Sequence, residues 1–168
     1  CPHSIRISID AIIKGRWCSY CTNQILCGEP ECKMCFDKSF ASCPYAETWD
    51  YEKNEGISPL KVYKSTQKKF WFTCRLCSHG VYTNTCTISK GLRCSYCSSK
   101  KLCDDTECDI CLKRSFASNP RSVCWNYEKN KGVTPRQIFK SARDSYWFIC
   151  DKCNHEFKIS IDHINRGT

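Results

Sequence analysis

Several features that would support a quick functional reading are missing from this chain. No apolar run approaches the ~18 residues needed to span a bilayer, and no signal peptide opens it. There is no glycine-rich phosphate loop, no nucleophile elbow, and no H-x-E followed by P-C-x-x-C as in the zinc deaminases. His155-Glu156-Phe157 does not continue as H-E-x-x-H. Acidic residues are outnumbered 17 to 26 by Lys and Arg, and they do not cluster in a repeated way. Asp104, Asp105, Glu107 and Asp109 have no matching set in the first half, while Glu52 and Glu128 stand singly. A metal-dependent nuclease needs grouped carboxylates. The chain is therefore expected not to be an enzyme and to lack a membrane partner.

Cysteine, by contrast, is in excess: 18 of 168 residues, above the ~8–10% that marks a cross-linked scaffold. Disulfides are one way to use so many. C-x-x-C pairs with charged flanks favour metal instead, and with it an intracellular, reducing location. The strongest signal is Cys74-Arg-Leu-Cys77, then sixteen residues, then Cys94-Ser-Tyr-Cys97. Each C-x-x-C turns the backbone so that two thiolates point the same way, and zinc joins two such knuckles at about 2.3 Å from each sulfur.

Laying the chain on itself reveals an ungapped period of 76 residues. Cys1, His3, Cys18, Cys21, Cys27, Cys32 and Cys35 fall on Cys77, His79, Cys94, Cys97, Cys103, Cys108 and Cys111. Cys74, Cys77 and His79 fall in turn on Cys150, Cys153 and His155. Trp49-Asp-Tyr-Glu-Lys-Asn54 meets Trp125-Asn-Tyr-Glu-Lys-Asn130, and Ser39-Phe-Ala-Ser42 meets Ser115-Phe-Ala-Ser118. An array of units of fixed shape is expected: residues 1–73 as a first repeat lacking its first knuckle cysteine, 74–149 as a complete second, and 150–168 as the start of a third. The chain is expected to be a window of a longer one, since both its ends fall inside a metal site. Cys43, Cys86 and Cys124 break the period and read as spare thiols.

Local patterns complete the unit. Lys69–Thr73 and Tyr146–Ile149 read as strands running into a knuckle, and Phe157–Ile161 as a return strand. Gly15, Gly91 and Gly167 mark a turn before the second C-x-x-C. Residues 94–102 read as a short helix supplying two ligands. Asn119-Pro120, Ser58-Pro59 and Thr134-Pro135 read as starts of further helical turns. Trp71 and Trp147 read as core residues covering the knuckle. Knuckle, hairpin and ligand-bearing helix make a small, metal-stabilised α+β treble clef.

The motif set W-x-Y-E-K-N, G-x-x-P, K-S, W-F-x-C-x-x-C-x-H and G-x-x-C-S-Y-C resembles the probable zinc-ribbon, or treble-clef, repeat family. The likeness covers almost the whole 76-residue unit. It implies zinc-holding tandem repeats of a kind found in bacterial proteins, sometimes beside nuclease domains, and in large DNA viruses. Shorter bacterial members lack the insert Cys27-x4-Cys32-x2-Cys35 and its copy Cys103-x4-Cys108-x2-Cys111. The longer form is associated with the viral relatives, which implies a virion or host-cell setting.

The insert supplies three ligands where structural zinc takes four. The other recurring strong ligand is histidine. His79 is therefore expected to join Cys103, Cys108 and Cys111, and His3 to join Cys27, Cys32 and Cys35. The competing reading has the imidazole merely hydrogen-bonding a sulfur or packing on Trp71. Two zinc ions per complete repeat follow, and with four protein ligands each they are structural, with no open position for substrate.

The formal charge of +9 shrinks to about +5 once four-thiolate and three-thiolate zinc sites are counted as −2 and −1. Nucleic acid is still the expected partner. Lys61, Lys64, Lys68 and Lys69 precede Phe70-Trp71; Arg136, Lys140 and Arg143 partly repeat them. The cations that keep their charge in the period are Lys14/Lys90/Arg166, Lys38/Arg114, Lys53/Lys129 and Lys64/Lys140, and these are the candidate phosphate contacts. A solvated charged face is the plainer reading of such runs. A stiff scaffold that bridges other proteins, for example inside a virus particle, is the alternative function.

Overall fold

Strands and helices here are short, and side-chain caps start three of the five α-helices among the described residues. The computed structural model describes residues 2–91 and 94–167. Helices are α1 (Ile9–Ile13), α2 (Lys33–Phe36), α3 (Thr85–Ser89), α4 (Asp109–Arg114) and α5 (Ile161–Arg166). Strands are β1 (Lys69–Thr73) and β2 (Gly80–Asn84), then β3 (Ser145–Ile149) and β4 (Glu156–Ser160), each pair an antiparallel hairpin. No helix among the described residues is long and apolar enough to cross a membrane. The chain divides into two compact units, Cys1–Cys94 and Ser95–Thr168.

Each unit builds the same core by the same rule. In β1 alternation buries Phe70 and Phe72 and turns Trp71 outward. Phe40, Trp49, Val62 and Ile88 close over the two phenylalanines. Phe40 meets Phe72 edge-on at 5.3 Å, and Trp49 meets it at 5.5 Å and 84°. In the second unit Phe116 and Trp125 meet Phe148 at 5.7 and 5.3 Å, again edge-on, with Ile161 of α5 beneath. Edge-to-face rings favour one arrangement over a generic apolar collapse. The core tryptophans are thus Trp49 and Trp125. Trp71 and Trp147, expected in the core, lie half-buried on the outer face of their hairpins, because the strand period assigns them there.

The recurring motifs acquire physical roles. Ser39 and Ser115, fully buried, donate their hydroxyls to the carbonyls of Phe36 and Leu112 at 2.8 Å. Isolated bridges then join Ser39 to Tyr63 and Ser115 to Phe139. In W-x-Y-E-K-N the final Asn acts as a surrogate strand. Asn54 accepts the N–H of Trp71 at 2.9 Å and donates to its carbonyl at 2.8 Å. Asn130 does the same for Trp147 at 3.0 and 2.8 Å. Removing this amide leaves a backbone N–H stranded beside a residue that is itself only 5% exposed. Asn54→Ala is expected to cost the first unit about 2–4 kcal/mol, read as a lowered unfolding midpoint in denaturant.

Two differences from the sequence reading concern helices. Residues after Cys94 form turns, not a helix: Ser99 adopts φ 56°, as Asn23 does at φ 59° in the copy, and left-handed backbone ends any helical run. The helix lies earlier, directly after each hairpin, where Asn84 and Ser160 cap α3 and α5 by accepting from Thr87 and His163. Gly167, at φ 74°, ends α5 in the left-handed conformation that glycine adopts without strain.

Partner groups have changed in concert between the copies. Arg75 of the first-unit knuckle pairs with Glu47 at 2.5 Å; in the second unit the signs reverse, with Asp151 on the knuckle and Arg121 on the turn at 3.0 Å. Asp50 pairs with Lys53 at 3.3 Å opposite Gly80. In the second unit Asn126 replaces that carboxylate, and Glu156, at the position of Gly80, supplies one to Lys129 instead. Each swap keeps one carboxylate per lysine or arginine.

Candidate metal centres

The Cys27–Cys35 insert folds so that three sulfurs converge. Cys32 is the N-cap of α2 and Cys35 lies on its first turn, so both thiols face one way. Cys27 comes in on a turn through Gly28, at φ 82°, where an added Cβ would sit 2.8 Å from Cε of Lys61. His3 completes the set: its Nε2 lies 3.3 Å from the sulfur of Cys32 and 3.5 Å from that of Cys35. All four ligand atoms fall within 4.8 Å of one another. The imidazole stacks on Tyr20 at 4.0 Å and 12°, which fixes its plane. Its Nδ1 is buried with no hydrogen-bond partner among the described residues, so stacking, not an outer hydrogen bond, orients this ligand.

These separations match zinc. Tetrahedral bonds of about 2.3 Å to sulfur and 2.0–2.1 Å to nitrogen imply sulfur–nitrogen edges of about 3.5 Å and sulfur–sulfur edges of about 3.8 Å. Cys77 and Cys94 approach to 3.5 Å between sulfurs, too far for a disulfide and right for a shared ion. Among the described residues the tetrads are His3/Cys27/Cys32/Cys35, Cys74/Cys77/Cys94/Cys97 and His79/Cys103/Cys108/Cys111, and no two described cysteines are joined in a disulfide. In both copies a histidine nitrogen is thus gathered with the three insert sulfurs, an arrangement that fits zinc. The ion would cross-link each tetrad and leave no open coordination position.

Backbone dipoles prepare the thiols. The N–H of Glu29 holds Cys27 down at about 7. That of Cys21 lowers Cys18, and those of Lys152 and Cys153 lower Cys150. Burial pushes Cys35 and Cys103 up. Thiols held down in this way bind a cation at neutral pH with little proton displacement.

The remaining predicted ligands are placed but not gathered into tetrads. Cys18 with Cys21, and Cys150 with Cys153, form knuckles of two thiols each. Cys1 lies outside the described residues. Cys43, Cys86 and Cys124 belong to none of the three tetrads; Cys43 is buried with its sulfur 3.6 Å from the Ser89 hydroxyl.

Several residues of these centres escaped sequence reasoning. Tyr20 had a readable signal, since Tyr96 repeats it inside C-S-Y-C. Arg136, grouped with the surface cations by sequence, instead secures the second insert, donating to the carbonyls of Asp105 at 2.8 Å and Cys108 at 3.4 Å. It has no counterpart in the first unit, where Leu60 stands, so the period could not reveal it.

The candidate phosphate contacts fall into groups. Lys14 pairs with Asp10 at 2.8 Å and Arg166 with Asp162 at 2.7 Å. Lys53 and Lys129 hold carboxylates and stand 5.5 and 4.6 Å from the ring centres of Trp71 and Trp147. Lys38 donates to the carbonyl of Tyr20 at 3.3 Å, and Arg114 to that of Tyr96, tying the second knuckle to the end of the insert helix. Lys64, Lys90 and Lys140 are exposed and make no ion pair among the described residues.

Comparison with known proteins agrees with this geometry. The model of a family described as "Probable Treble clef zinc finger domain" matches residues 45–100 and 123–168. Both inserts, 27–35 and 103–111, lie outside the matched stretches. Over 142 residues, 84% of its length, the chain is 37% identical to an uncharacterized protein of Acanthamoeba polyphaga mimivirus, and spans 34% of that protein. Two matches that together cover more than half of the sequence, on units bearing cysteine tetrads, show that the chain belongs to the treble-clef zinc-finger family so described.

Proposed function

We propose that this is a non-catalytic, zinc-locked repeat protein that binds nucleic acid through cations on its rigid units. The supporting observation is a pair of cations that recurs. The N–H of Lys64 donates to the carbonyl of Lys38 at 3.1 Å, and that of Lys140 to the carbonyl of Arg114 at 2.9 Å. In each unit two cations therefore lie side by side on bridged segments, and none of the four makes an ion pair among the described residues. In the first unit Asn23, Lys38, Tyr63, Lys64, Ser65 and Thr66 line a cleft of about 440 Å³. Two cations with amide and hydroxyl groups suit a phosphate, and metal-locked backbone holds them without further ordering cost.

Measuring affinity for duplex and single-stranded DNA over a salt series tests this. Log affinity is expected to fall linearly with log salt. Lys64→Glu with Lys140→Glu should weaken binding about tenfold or more at low salt, across all sequences, and reduce the slope by about two. Weak binding that ignores salt would favour the scaffold reading.

A further inference from the structure

The outer face of the first hairpin carries a feature that neither the zinc centres nor the aromatic core uses. Trp71 and Tyr82 are direct cross-strand partners, with rings 5.0 Å apart and tilted by 36°. Tyr82 is 55% exposed, and Trp71 is half-buried. Lys53 stands 5.5 Å from the Trp71 ring centre, and an added Cβ on Gly80 would lie 3.3 Å from both its ammonium and the indole. The strand enters this face from Lys68 and Lys69, both exposed. From the nucleic-acid reading, on which this step rests, we infer that the Trp71–Tyr82 pair is a stacking platform for an unpaired base, making single-stranded nucleic acid the preferred ligand of the first unit.

The second unit shows that Tyr82 is not there to hold the fold. Its hairpin has the same register, with Lys158 opposite Trp147 where Tyr82 faces Trp71. The same core forms beneath, and Lys129 stands over Trp147 as Lys53 does over Trp71. An exposed ring that a lysine replaces without loss of architecture contributes surface, not core. Asp50 is paired with Lys53, and Lys68 and Lys69, exposed and without an ion pair among the described residues, keep their charge for a phosphate backbone. Flat π-faces beside exposed lysines suit a base splayed from its strand, whereas bases stacked inside a duplex offer no face to them. Partner choice is thereby divided: the cation pairs hold phosphates of either kind, and the aromatic pair selects unpaired bases.

The zinc-loaded protein, titrated with a fluorescent oligo-dT and separately with a duplex of equal length at one low salt concentration, provides the test. Wild type is expected to prefer oligo-dT and to show quenched tryptophan emission on binding it. Tyr82→Ala, at an exposed position that tolerates lysine in the other unit, should weaken oligo-dT binding about tenfold while duplex binding stays within twofold. Lys158→Tyr should strengthen oligo-dT binding several-fold by creating a second Trp–Tyr pair. Equal loss on both ligands for Tyr82→Ala, or no loss on either, overturns the platform while leaving the phosphate reading intact. Failure of the wild type to bind either ligand overturns both readings. Zinc content measured on each variant confirms that the units remain folded.

Discussion

Stripping zinc with a strong chelator is expected to unfold both units. Each buried core is small: seven residues in the first unit and four in the second. Units of this size bury too little apolar surface to offset backbone ordering unaided. Structural zinc contributes on the order of 10–16 kcal/mol per site, as much as the whole stability of an ordinary domain, about 5–15 kcal/mol. Chelation should therefore shift Trp49 and Trp125 emission to the red, abolish near-ultraviolet circular dichroism, and reverse on adding zinc. Native emission after complete metal removal would show that the aromatic cores suffice alone. Acid should act in the same direction. Zinc needs thiolates, so protons compete with it, and a thiol held low, as Cys27 is at about 7, contributes stability that is present above its ordinary range and lost as pH falls through the lowered value. The part of the stability tied to this thiol should accordingly rise between about pH 7 and pH 9, read as a rising unfolding midpoint.

Much of this architecture was legible because the sequence states it more than once. A single C-x-x-C is weak; the same pair, histidine and insert recurring 76 residues later without a gap is a geometric statement, since only a fixed shape tolerates no insertions. The period set Cys43, Cys86 and Cys124 apart from the residues that form the three tetrads, and the aromatic and alternating runs placed three of the four strands to within a residue. It could not say where a side chain points. Trp71 recurs and is aromatic, yet its place outside the core follows from alternation against Phe70 and Phe72, which pack on turns 20 to 30 residues upstream. Asn54 recurs too, but its bond to the Trp71 backbone depends on a tertiary approach that no local pattern encodes. The short helices after the hairpins were missed because elements of five and six residues have too little periodicity to register; their N-cap side chains and the glycine that follows were the available signal. Where the copies differ by compensation, as with Arg75–Glu47 and Asp151–Arg121, position-by-position comparison sees only variation. The pairing appears once both partners are in space.

Replacing single ligands should separate the metal centres from the rest of the cysteines. Cys35→Ser and Cys111→Ser, at positions at most 2% exposed, are each expected to remove one zinc and unfold the corresponding insert, because a hydroxyl is a poor ligand and three donors do not close a tetrahedron. Cys43→Ser, Cys86→Ser and Cys124→Ser should keep full zinc content and, at the half-buried Cys86 and Cys124, change stability by less than about 1 kcal/mol. The histidines are the sharper test. If His3 and His79 only hydrogen-bond to sulfur, alanine there leaves metal content unchanged. If they are ligands, as the 3.3 and 3.5 Å approaches of His3 Nε2 to Cys32 and Cys35 indicate, each alanine substitution should weaken zinc at its insert by a hundredfold or more against a competing chelator, on the order of 3 kcal/mol. His3→Cys should restore much of that affinity, since a thiolate at the same place completes a four-sulfur site of the kind Cys74, Cys77, Cys94 and Cys97 already make. Rescue by cysteine cannot come from a group that merely donated a hydrogen bond or packed on Tyr20, so it identifies the fourth ligand by what it does to the metal.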